Sequence, residues 1–92
     1  MITRISEFQA APDLAEELHA FLGSLVPYIT ASDGCLTCEV LRHTEQQDTF
    51  VVIERWESVE AHRTSVESFP KEEMEAAMRL IGAPPKAGYY RV

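Results

Sequence analysis

The sequence predicts an α+β fold, an antiparallel sheet with helices packed on one face. Three observations carry that prediction. Residues 2–8 alternate, with Ile2, Arg4, Ser6 and Phe8 on one side and Thr3, Ile5 and Glu7 on the other, as in a strand. Leu14, Leu18, Phe21, Leu22, Leu25 and Ile29 then recur at steps of three and four, which is one apolar helix face. Finally, Gly34 to Arg63 reads as two strands joined by a polar turn, with helical spacing beginning right after Trp56.

The elements follow in order. After the first strand, Pro12 suits a first helical position, and Asp13, Glu16 and Glu17 lie near the positive end of the helix dipole. Pro27 is expected to kink or end this helix, because its ring meets the carbonyl of Gly23. Ala31-Ser32-Asp33-Gly34 is a turn. Cys35 to Thr44 is the second strand, Glu45 to Asp48 a connection of hairpin length, and Thr49 to Trp56 the third strand. The unbroken run Phe50-Val51-Val52-Ile53 implies a central strand covered on both sides. Ser58 is the N-cap of a second helix carrying Val59, His62 and Val66 on one stripe. Phe69-Pro70 breaks it. Pro70 opens a third helix with Glu72 and Glu73 in its first turn, Arg79 in its last, and Met74, Ala77, Met78 and Ile81 as its buried stripe. Gly82 and Pro84-Pro85 stop that helix, and Gly88 to Val92 forms a last strand.

The order β-α-β-β-α-α-β is two β-α-β units around a central hairpin, a ferredoxin-like arrangement with helices on one face. The other face then carries apolar residues that the chain cannot cover, and an identical subunit is the expected cover. We therefore expect one domain over residues 1–92 and a homodimer with its two sheets packed together. A chain this short buries only roughly two-thirds of its surface alone, which points the same way.

Composition narrows the function. The chain is 46% hydrophobic, so it is globular. A net charge of −7 without a basic cluster argues against nucleic acid as a partner. No stretch approaches the ~18 apolar residues of a membrane span, and Met1-Ile2-Thr3-Arg4 does not open a signal peptide, so a soluble cytoplasmic protein is expected. Cys35 and Cys38 form a C-x-x-C spacing but lack a second pair or suitably spaced histidines for a metal. They enter a strand rather than a helix, and three-residue spacing on a strand puts them on opposite faces, so they read as small apolar residues. No G-x-G-x-x-G follows a strand. Neither metal nor organic cofactor is expected.

The motifs D-G-C-L-x-x-E-V-L at Asp33–Leu41, F-V-V-I-E-R-W-E-S-x-E-A-H at Phe50–His62, and a closing Y-Y-R at Tyr89–Arg91 resemble the antibiotic biosynthesis monooxygenase family of dimeric α+β barrels. The resemblance spans nearly the whole chain. It implies a dimeric α+β barrel and, among the family's varied activities, cofactor-free oxygenation of quinols and polyketide phenols. Ser65 stands where many members carry a second histidine, and Cys38 where an aromatic is common. The chain has no asparagine, which argues against the haem-degrading branch.

Oxygenation without a cofactor relies on a deprotonated substrate that gives an electron to dioxygen directly. The protein then supplies an apolar cavity, a proton acceptor and donors for the anion. His62 is the candidate acceptor, since histidine alone titrates unperturbed near neutrality; the plainer reading is a core histidine bonded to backbone. Trp56 shares a strand face with Phe50, Val52 and Glu54, where it either stacks on a flat aromatic substrate or fills the core. Glu54 on that face is a buried acid or base, or more simply the ion-pair partner of Arg42 or Arg55. Tyr89 and Tyr90 point opposite ways, so one can reach a substrate oxygen while the other fills a dimer interface. Met74 and Met78, at i and i+4, suit an adaptable pocket wall or ordinary core. His19 and His43 are expected at the surface. The functional expectation is a cofactor-independent monooxygenase-like protein for a small electron-rich aromatic. A non-catalytic dimeric metabolite-binding or stress-related accessory protein is the alternative, and isomerisation of a carbonyl compound a third.

Overall fold

The computed structural model describes all 92 residues. It contains β1 (Ile2–Gln9), α1 (Ala15–Thr30), β2 (Cys35–Arg42), β3 (Thr49–Trp56), α2 (Val59–Glu67), α3 (Lys71–Met78) and β4 (Lys86–Tyr90). The strands form one antiparallel sheet in the order β2-β3-β1-β4. This is the ferredoxin-like α+β architecture that the element order predicts, with β3 and β1 at the centre. No helix is long and apolar enough to cross a membrane.

Register decides which side chains meet the helices. Ser6 lies opposite Val52, Phe8 opposite Phe50 and Arg4 opposite Glu54, while Tyr89 of β4 flanks Arg4 on its other side. Even-numbered residues of β1 and β3 therefore face inward. Ala10, Leu18, Leu22, Phe50 and Val52 form the core, with α1 lying mainly on β2. The opposite face is open. Leu41 and Tyr90 are exposed there, beside partly buried Ile5, Val51 and Ile53.

Several elements depart from expectation. Pro12 is not the first helical residue: Asp13 has φ 66°, a left-handed conformation no α-helix admits, so α1 starts at Ala15. Pro27 neither ends nor breaks α1. It lies in the last turn, where only one ladder bond is lost, and Ala31 N–H donates to the Pro27 carbonyl at 3.1 Å. β2 stops at Arg42 because His43 Nδ1 accepts from the N–H groups of Glu45 and Gln46, both at 3.0 Å, which turns the chain early. β4 begins at Lys86 and ends at Tyr90, two residues ahead of the predicted span. The two cysteines do not lie on opposite faces. An irregularity between Cys35 and Thr37 removes Leu36 from register, so Cys35 opposes Trp56 and Cys38 opposes Glu54, two inward positions. Burial, then the neighbouring Glu54 carboxyl, pushes the Cys38 thiol up to about 12 and raises that of Cys35, so neither is a ready nucleophile.

Candidate active site

α1 covers one half of the sheet solidly. The other half lies under α2 and α3, whose contact with the strands is sparse, and there a pocket of about 300 Å³ remains. Arg4 and Ser6 of β1, Glu54 and Trp56 of β3 and His62 of α2 form its polar and aromatic floor. Leu25, Ile29, Phe69, Met74, Met78 and Ile81 form apolar walls. That volume sits at the small end of ligand sites, enough for one or two fused rings.

Local sequence explains the placement of α2. Ser58 caps the helix, its Oγ accepting from Ala61 N–H at 3.1 Å. Gly34 sits against Ala61 with φ 86°, and a Cβ there would lie 2.7 Å from the Ala61 Cβ. Glu57 N–H donates to the Gly34 carbonyl at 2.8 Å, tying the start of α2 to the turn after α1. Further along, Tyr28 Oη donates to the Ser65 carbonyl at 2.7 Å, and the Ser32 and Ser65 hydroxyls share a hydrogen bond at 2.9 Å. Buried Ser65, at the family's second histidine position, thus serves the α1–α2 contact.

These anchors bring His62 over the sheet, 8% exposed. Its Nδ1 lies 2.7 Å from Tyr89 Oη, and its ring meets Trp56 and Tyr89 edge-on at 5.5 and 5.4 Å. Burial first, then the cations of Arg4 and Arg63, lowers the His62 pKa to about 4. The imidazole is therefore neutral at physiological pH. In one tautomer Nδ1–H donates to Tyr89 and leaves Nε2 an acceptor; in the other Tyr89 donates to Nδ1 and Nε2–H is a donor.

Trp56 has no exposed surface, so it is a wall of the pocket rather than an open stacking shelf. Its Nε1–H donates to Glu54 Oε1 at 2.9 Å. Glu54 pairs with neither Arg42 nor Arg55: Arg42 bridges Glu16 at 2.7 Å, and Arg55 projects from the open face. Burial raises the Glu54 pKa, opposed by the Trp56 hydrogen bond and the Arg4 charge. Tyr89 lies behind His62 and does not line the pocket, while Tyr90 is on the far side of the sheet. Met74 and Met78 do line it, yet are 41% and 56% exposed, because α3 caps the pocket at its mouth instead of packing on the sheet. His43 is exposed as expected, and so is His19, which also stacks on Phe50.

Arg4 is the site residue that sequence reasoning missed. Its guanidinium carbon lies 4.7 Å from the centroid of the Tyr89 ring. The signal was available: alternation sets Arg4 on the same side as Ser6 and Phe8, which is the core side. No cluster of three His, Cys, Asp or Glu that could hold a metal forms.

A profile of antibiotic biosynthesis monooxygenases matches residues 1–80. The chain belongs to the antibiotic biosynthesis monooxygenase family. Solved structures share its fold over nearly the full length. PA3566 from Pseudomonas aeruginosa is 25% identical at a TM-score of 0.84, with 99% of this chain and 93% of that one aligned. Rv0793 from Mycobacterium tuberculosis is 22% identical at 0.87, with the same coverage. A mutant of SnoaB, a cofactor-independent oxygenase from Streptomyces nogalater, is 16% identical at 0.82, covering 99% and 91%. No protein of curated function matches the chain.

Proposed function

We propose that this family member is a cofactor-independent oxygenase acting on a small, flat, electron-rich aromatic, a quinol or polyketide phenol, in the pocket under α2 and α3. The observation that supports this reading best is the half-buried His62–Tyr89 hydrogen bond at the edge of a pocket with apolar walls. A neutral imidazole held by a fixed partner is a proton acceptor in one tautomer and a donor in the other, and the reaction needs both. The fold shared with SnoaB is consistent with it.

The substrate hydroxyl gives its proton to His62 Nε2, and Tyr89 keeps the ring in the accepting tautomer. The substrate anion transfers one electron to dioxygen, and the resulting radical and superoxide join in a carbon–oxygen bond. The proton returns from His62 to the terminal peroxide oxygen. Loss of water then leaves a new carbonyl, with one oxygen atom retained and the other released as water. Apolar walls shield one side of the radical pair from water.

A second copy of the chain covers the open face in this proposal. Leu41, Val51 and Ile53 supply apolar area, and that face carries both signs of charge, Glu7 and Glu39 with Arg55 and Lys86, which suits self-pairing across a two-fold axis. The functional test is oxygen uptake with a panel of hydroquinones and anthrones, comparing the native protein with His62→Ala. Uptake above buffer that the substitution removes is expected. No uptake with any compound would favour a non-catalytic binding role, and uptake unchanged by the substitution would remove His62 from the mechanism.

A further inference from the structure

We infer that Arg4 makes the pocket selective for ligands presenting an ionised oxygen, namely an acidic enol or phenol held there as its anion. The inference rests on reading this pocket as the substrate site, and it narrows the substrate class.

Alternation in β1 turns Arg4 inward, and register sets it between Glu54 on β3 and Tyr89 on β4. Its cation lies over the Tyr89 ring, which holds the side chain in place. Its Nε is buried at the pocket floor and finds no acceptor in the protein. The chain's one salt bridge joins Arg42 to Glu16, so Arg4 has no ion-pair partner. Glu54, directly across the strand, feels the Arg4 charge but bonds to Trp56 and makes no hydrogen bond or ion pair with Arg4. A buried guanidinium donor without an acceptor is costly, and a ligand oxyanion relieves that cost where a neutral ligand does not. The planar fork of arginine suits such an oxygen, or an oxygen pair, better than a point charge.

The neighbouring imidazole argues for the same ligands. With its pKa lowered to about 4 by burial and by Arg4 itself, His62 is a weak base. Taking a proton from a simple phenol of pKa ~10 runs roughly a millionfold uphill. An acidic enol or phenol whose anion Arg4 holds shortens that climb, so the proton can still pass to His62.

The test is equilibrium binding by calorimetry and by quenching of Trp56, the only tryptophan in the chain. Three probes that do not consume oxygen are compared: 2-hydroxy-1,4-naphthoquinone as its enolate, 2-naphthoate, and neutral 2-naphthamide. The enolate should bind roughly 10- to 100-fold more tightly than the amide, the range for a hydrogen bond to a charged group. Arg4→Gln should erase that preference, so that enolate and amide bind the variant equally, and Arg4→Lys should keep part of it. A preference for naphthoate without one for the enolate would overturn the enol or phenol assignment. Equal binding of all three probes, no binding of either ionised probe, or a preference that survives Arg4→Gln would overturn the role of Arg4. If Arg4→Gln does not fold, the native protein's preference and its reduction in Arg4→Lys decide the matter. Oxygen uptake is read separately, so an anion preference without turnover would sink the oxygenase reading and leave this one standing.

Discussion

The low basicity of His62 makes a quantitative prediction for stability. Folding lowers its pKa from 6.5 to about 4, so the folded protein binds that proton less readily than the unfolded chain does. The stabilisation is therefore fully present above pH 6.5 and drains away as pH falls through 6.5 toward 4. At ~1.4 kcal/mol per pH unit, the full difference is at most ~3.4 kcal/mol. Because one flank of the ring lines a pocket that solvent reaches, we discount this to ~2 kcal/mol. Glu54 acts with the opposite sign: its folded pKa is raised, so its contribution is present at low pH and lost as pH rises. It is common to both proteins in the comparison that isolates the histidine. Urea unfolding followed by Trp56 emission, at pH values of about 7 and about 4.5, should show the native protein losing ~2 kcal/mol more than His62→Gln does. Parallel pH dependence in the two proteins, or a larger loss in the variant, would refute the buried neutral imidazole. An NMR titration of His62 offers the direct check, with no inflection expected above pH ~5.

Further outcomes follow from the same contacts. Trp56→Phe keeps the six-membered ring but leaves a small cavity and the Glu54 carboxyl without its 2.9 Å donor, and should cost at least ~1–3 kcal/mol in urea unfolding followed by circular dichroism. Gly34→Ala forces an L side chain into φ 86° against the Ala61 Cβ and should destabilise by more than ~1 kcal/mol, seen as a lower melting temperature. Tyr89→Phe, which removes the partner of His62 Nδ1 without touching the pocket lining, should lower kcat more than it raises KM; the reverse pattern would place Tyr89 in direct substrate contact. Ile53→Glu on the open face should convert a dimer to monomers in sedimentation at micromolar concentration, and a native protein already monomeric there would contradict the proposed interface.

The sequence made the sheet plain because period two is a strong signal: β3 has the predicted bounds, and the opposite orientations of Tyr89 and Tyr90 follow from alternation alone. The inward group Phe50, Val52, Glu54 and Trp56 was equally readable. What escaped depends on register or on tertiary contacts. The irregularity at Leu36 swings Cys35 to the side of Cys38, and nothing in C-L-T-C announces it. Pro27 survives inside α1 because it falls in the last turn, a matter of helix length rather than residue type. Glu54 finds Trp56, two residues on along its own strand, and Arg42 finds Glu16 on α1, a pairing that only the packing of helix on sheet creates. Arg4 was hidden by its charge: residue type suggested the surface while its position in the alternation pointed to the core.

The most direct test of the oxygenase account is a turnover under ¹⁸O₂ with an anthrone or hydroquinone, analysed by mass spectrometry at early times beside His62→Gln. The account predicts one labelled oxygen in the product carbonyl, formed faster than in buffer and slowed by roughly 10²-fold or more in the variant. Product formed at the buffer rate, or at the same rate in both proteins, would contradict it.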